Sequence, residues 1–195
     1  VEANKINTVA KDKDKGLTMD SYPSDREDFL FMNTVAGACQ DQAVRQALAY
    51  GFDREAYIAS YYKLDDKDAK LAYVPGLFGN PVSGGNGAYV RGEEKVDGAT
   101  YYDYDVEKAK QILDDAGWTV GSDGIREKDG QKLSIKFLAT KEKDAMDTMI
   151  PMLQKQWGEL GVDFKANTME FNTVIATVSD DSAVGDWDVS YLGNS

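Results

Sequence analysis

The chain has 195 residues, 42% of them hydrophobic and 29% charged, a balance that suits a folded domain and excludes a disordered segment. Its 22 basic and 34 acidic residues leave a net charge of −12, which argues against nucleic acid and anionic lipid as partners. Histidine is absent and cysteine occurs once, at Cys39. That removes the usual general base, the commonest metal ligand, an internal disulfide and a thiolate zinc site together.

No run of ~18 apolar residues is present, so no transmembrane helix is expected. The chain opens on Val1 with no signal peptide in view. It reads as a piece of a longer precursor, with any targeting segment or anchor lying outside it.

In chain order, residues 1–16 form a polar lead-in rich in lysine and aspartate. Asp12 and Asp14 have the spacing that opens a calcium loop, but Gly16 falls where that loop needs a further oxygen ligand. A solvated turn is the expectation. Residues 17–35 predict two short strands around Pro23, Ser24 and Asp25, the second at 29–33. Val44, Ala47, Leu48 and Gly51 then fall at i, i+3, i+4 and i+7, one face of a helix over 40–52. Gly51 is expected to close that helix in the left-handed region, and Asp53 to cap a following helix through Ala56, Tyr57, Ile58 and Tyr61. The outline is a helix-turn-helix, yet the chain lacks the cationic surface that DNA docking requires. Residues 63–103 carry most of the loop signals. Their glycine cluster at 83–87 lacks the lysine and hydroxyl of a phosphate-binding loop, so a surface loop is expected.

Asp105 is placed to cap a helix whose inner residues are Val106, Ala109, Ile112, Leu113 and Ala116, closed by Gly117. Asp129 and Gly130 predict a tight hairpin turn between strands at 125–128 and 132–138. In the second strand Leu133, Ile135 and Phe137 alternate with polar residues, so one face should be buried. Met146, Met149, Ile150, Leu153, Trp157 and Leu160 mark a long amphipathic helix interrupted by Pro151, which implies a kink if the helix starts well before Asp147. Gly161 ends it. A strand at 162–166, a helix at 171–178 and a final strand at 187–192 follow. Helix and strand alternate over this half, which is the pattern of an α/β domain.

Three stretches carry a family resemblance. The first is Val44, Arg45, Gln46, Ala47, Leu48, Ala49, Tyr50, Gly51, Phe52, Asp53, Arg54 and Glu55. The second spans 104–118, with Tyr104, Asp105, Ala109, Lys110, Leu113, Ala116, Gly117 and Trp118. The third is Asp186, Trp187, Asp188 and Val189 with Gly193. In this order they resemble the second lobe of an extracytoplasmic solute-binding protein of the peptide/nickel-binding family. The resemblance covers residues 17–195. It implies one α/β lobe of a two-lobed, periplasmic-binding-protein-like fold, with a mixed sheet flanked by helices. It implies the substrate-binding component of an ABC importer, capturing oligopeptides between its lobes for a membrane permease of two membrane subunits and two ATPases. It further implies a monomer without cofactor, outside the cytoplasm, as a cell-surface lipoprotein or in the periplasm.

The cleft residues the resemblance implies are Tyr191, Gly193 and Asn194. Tyr191 shares its strand parity with Trp187 and Val189, so core packing competes with ligand contact there. Gly193 either admits a ligand backbone or ends the strand. Asn194 stands where relatives often carry a tryptophan, and the aspartate that holds a peptide's amino group in relatives would follow Ser195. The isolated 195 residues are therefore expected to fold but to bind peptide weakly, which calorimetry would check. A carboxylate-based glycan-active enzyme is one alternative. It would rest on the adjacent pairs Asp114–Asp115 and Asp180–Asp181; neighbours on a helix point about 100° apart, so 114 and 115 do not face each other. A surface adhesion or signalling domain without catalysis is another. No catalytic residue and no metal ligand is expected.

Overall fold

In the computed structural model, the residues described are 27–62 and 94–194, with residues 5, 8–9, 12–16 and 18 of the lead-in. The chain divides into two compact units, one of residues 28–53 and 102–193, the other of residues 1–27, 54–101 and 194–195.

The larger unit is organised by one strand, β5 (Ser134–Thr140), in a four-stranded sheet of order β1-β7-β5-β6. Here β1 is Glu27–Met32, β6 Asp163–Met169 and β7 Val189–Asn194. β5 runs parallel to β6, from Ser134 opposite Asp163 to Thr140 opposite Met169, and parallel to β7, with Phe137 opposite Val189. The alternation at 133–137 predicts one buried face. Leu133, Ile135 and Phe137 are buried while Ser134 and Lys136 are half-buried, as expected; beyond them Leu138, Ala139 and Thr140 are buried in succession, because a central parallel strand is covered on both sides. On one side the ring of Phe137 lies 5.6 Å from Phe164, which in turn meets Trp157 edge-on at 5.7 Å.

Trp157 belongs to α4 (Asp144–Gly158), the long amphipathic helix. It starts well before Asp147, so Pro151 lies inside the helix and removes the bond to the Asp147 carbonyl. Pro151 and Asp147 are both exposed. α5 (Phe171–Val178) follows β6 and buries Val174. α1 (Gln42–Tyr50) packs against α3 (Val106–Asp115), burying Val44, Ala47 and Leu48 from one and Ala109 and Leu113 from the other. Asp105 caps α3 through the Lys108 N–H at 2.9 Å, as its position predicts. Gly117 and Gly161 lie beyond their helices at φ 86° and 84°. Gly51 differs from expectation: its φ is −83°, outside the left-handed region. It is needed for closeness, since a Cβ there would stand 2.6 Å from Leu160 Cδ1.

The Asp129–Gly130 turn is present, both residues having positive φ, 51° and 76°, as a two-residue hairpin turn demands. The strand expected at 132–138 is divided at Leu133. β4 (Gln131–Lys132) pairs with β3 (Arg126–Lys128) and β2 (Thr119–Val120) in a separate three-stranded sheet, while β5 enters the main one. Leu133 joins them, donating to the Arg126 carbonyl at 2.7 Å and accepting from Asp163 N–H at 2.9 Å.

In the smaller unit, α2 (Arg54–Tyr62) begins directly after Asp53 and stacks Tyr57 on Tyr61 with ring centroids 5.9 Å apart. Asp12–Lys15 form a 3-10 turn in which Lys15 pairs with Asp12 at 3.1 Å. The strand expected before Pro23 and the glycine-rich loop at 83–87 lie outside the described residues.

Candidate ligand-binding site

Because β6 and β7 both run parallel to β5, the three strands deliver their carboxyl ends to one edge of the sheet. Open α/β sheets bind ligands at such an edge, where the strands' final groups and the following loops meet solvent. β5 ends at Thr140, and residues 141–143 turn into α4. The turn is fixed at its start: Lys141 N–H donates to the Met169 carbonyl at 2.8 Å, and its ammonium pairs with Glu170 at 2.8 Å. The Glu170 carboxylate raises the Lys141 pKa above its ordinary value. Glu142 stands at φ 59°, a left-handed conformation that is uncommon for a residue with a Cβ. The Lys143 Nζ lies 5.9 Å from the centroid of Phe171 and 6.0 Å from that of Tyr191.

Phe171 opens α5 and is 50% exposed; Ile175, one turn on, is 37% exposed. An apolar helix face left to solvent beside a cation is the least core-like surface along this edge. Tyr191 is buried on β7 at 5% exposure, with its ring toward Lys143. Gly193 is exposed near the strand's end, and Asn194 is the last residue of β7. Of the three residues singled out from sequence, Tyr191 thus meets the cation of the turn. Lys143 and Phe171 were not anticipated. The signals available were a lysine-rich turn between a strand and a helix, and a phenylalanine at a helix's first position.

At its other end β7 is located by Asp188, which is 1% exposed. Its Oδ1 accepts from the Ala38 N–H at 3.1 Å and its Oδ2 from the Lys136 N–H at 2.8 Å. Its own N–H donates to the Lys136 carbonyl at 2.9 Å, and its carbonyl accepts from Asn33 at 2.8 Å. These two accepted N–H bonds fix the strand against β5 and the loop after β1. Asn33 completes the tie by donating from Nδ2 to the carbonyls of Val184 and Trp187 at 2.7 and 2.9 Å.

The edge therefore offers main-chain groups, aromatic surface and two ammonium groups, that of Lys141 paired with Glu170. Among the described residues no group of three or more His, Cys, Asp or Glu is placed to hold a metal ion. No helix among them is long and apolar enough to cross a membrane.

Comparison with known proteins agrees with a binding role. The chain is 30% identical over 155 residues to the oligopeptide-binding protein OppA of Lactococcus lactis subsp. cremoris, covering 77% of this chain and 24% of OppA. It thus spans about a quarter of that relative's length. Among solved structures, NikA of Brucella suis in complex with Fe(III)-EDTA superposes with a TM-score of 0.71 at 26% identity, over 97% of this chain and 34% of NikA. Lactococcal OppA, closed on an endogenous peptide, gives a TM-score of 0.70 at 21% identity, over 100% of this chain and 36% of its own, a likeness of fold. Residues 1–195 match the profile of bacterial extracellular solute-binding proteins, family 5, middle region. The chain belongs to this family of solute-binding proteins, which hold a ligand rather than transform it.

Proposed function

We propose that residues 17–195, after the polar lead-in of residues 1–16, are one α/β lobe of the substrate-binding component of an ABC importer. The receptor captures oligopeptides between two lobes and delivers them to a membrane permease. It works as a monomer outside the cytoplasm, as a surface lipoprotein or in the periplasm. The observation that carries this reading is the open carboxyl edge of a parallel sheet, dressed with Phe171, Lys143 and Tyr191 rather than with a catalytic constellation. Gly193 and Asn194 contribute the end of β7, where a ligand's main chain can pair with strand groups without reading its sequence. The sequence likeness to OppA supports peptide as the ligand class.

The reading is tested by thermal unfolding of the full-length receptor in the presence of peptide mixtures, oligosaccharides or nickel chelates. Peptides alone should raise the melting temperature. Stabilisation by oligosaccharides alone would favour the glycan alternative and overturn the peptide reading.

A further inference from the structure

We propose that Asp188 and Asn33 are positioning residues for ligand binding: buried where β7 begins, they set the register that places Tyr191 and Gly193 at the carboxyl edge. The proposal rests on reading that edge as the ligand site. Among the described residues, β7 is joined to β5 by the pairs Phe137 with Val189 and Leu138 with Ser190. Although β5 continues to Thr140, that register ends at Ser190, and beyond it the neighbour of β7 is β1, the outer strand of the sheet. So short a pairing specifies register weakly. A slip of one residue would turn Tyr191 to the opposite face and bring Ser190 or Leu192 to the side of Lys143. The Ser190 hydroxyl does nothing to prevent it, being buried without a hydrogen-bond partner among the described residues.

What holds the register lies just before the paired segment. Asp188 accepts N–H groups from two directions, Lys136 of β5 and Ala38 of the loop after β1, while its own main chain bonds Lys136 and Asn33. Asn33, 4% exposed, donates to the carbonyls of Val184 and Trp187, and its Oδ1 accepts from the N–H groups of Val35 and Ala36 at 2.9 and 3.1 Å. Gly37 lets the loop close directly on Asp188 Oδ1, where a Cβ would overlap it. In a slipped register these buried groups would lose their partners, which is costly away from water. Tyr191 stands three residues beyond Asp188, about 10 Å along the strand. The clasp therefore acts on the edge through the strand, without touching the ligand.

The test takes the full-length receptor and a pentapeptide that it retains from a random pentapeptide library, identified by mass spectrometry and titrated by calorimetry. Asp188→Asn turns an NH2 toward one of the two N–H donors. Asn33→Ser keeps a side-chain oxygen for the turn but loses both donated bonds. Each should weaken the peptide about tenfold, the usual cost of loosening the support behind a binding group. Asp105→Ala is the control: it removes the cap of α3, lowers the melting temperature, and should leave affinity within about twofold, as distant sites do. All titrations are run well below the lowest melting temperature, so that the folded fraction does not enter. Unchanged affinity in either clasp variant that folds would confine the clasp to stability and overturn the proposal, with the peptide reading intact. An equal loss in Asp105→Ala would also overturn it, since general destabilisation would then suffice. Retention of no pentapeptide by the wild-type receptor would overturn both.

Discussion

At Gly37 the backbone stands at φ 70°, and a Cβ built there would meet Asp188 Oδ1 at 1.8 Å. Glycine therefore serves two purposes at one position, conformational and steric. Gly37→Ala is expected to cost on the order of 3 kcal/mol, through strain at positive φ and displacement of a buried carboxylate. Asp188→Asn keeps the volume but points an NH2 at one of two N–H donors, and should cost about 2 kcal/mol. Urea denaturation of the full-length protein measures both, and a loss below ~0.5 kcal/mol for either would contradict the role given to this contact. Cys39 lies beside the same group. Burial first, and the Asp188 carboxylate second, push its thiol up to about 12 against the opposing Arg45 guanidinium, so it remains protonated and unreactive at neutral pH.

Among the elements, α1 depends most on one side chain. Asp41 caps it through the Ala43 N–H at 2.9 Å, and its other oxygen accepts from the Trp118 indole at 3.0 Å and the Lys128 ammonium at 3.1 Å. Burial opposes the charge on Asp41, but these donors together outweigh it and hold the carboxyl below the ordinary carboxylate range. A lowered folded-state pKa means that the stabilisation is present above the unfolded value of about 4 and is lost as pH falls through the folded value. Asp41→Ala should cost about 1–2 kcal/mol at neutral pH, the usual worth of a cap. The difference between the two proteins should shrink below about pH 4. Denaturant midpoints measured across pH 2–7 would show it; a difference that grows on acidification would have the wrong sign.

At the scale of the molecule, binding and stability are linked. A ligand that occupies only the folded receptor adds about 2.7 kcal/mol at a hundredfold excess over its Kd. That increment should appear in the full-length receptor with peptide, and should be smaller in a Lys143→Met variant at the same peptide concentration. Equal shifts in both proteins would mean that Lys143 contributes nothing to affinity.

Sequence alone determined the elements whose signals are local. The Asp105 cap, the Asp129–Gly130 turn, the glycines after α3 and α4, and α5 at residues 171–178 each follow from a few neighbouring residues and their dihedral needs. It also carried the family, through Val44–Glu55, Tyr104–Trp118 and Asp186–Gly193 taken in order. Tertiary structure decided what depends on partners distant in the chain. The strand expected at 132–138 divides at Leu133 because Arg126 and Asp163 claim its two backbone groups from opposite sides. Burial of both faces of β5 required β6, β7 and the helices beside them. The approach of Lys143 to Phe171 and Tyr191 needed three strands to end on one edge. No local pattern encodes such a meeting, since it is fixed by register across the sheet.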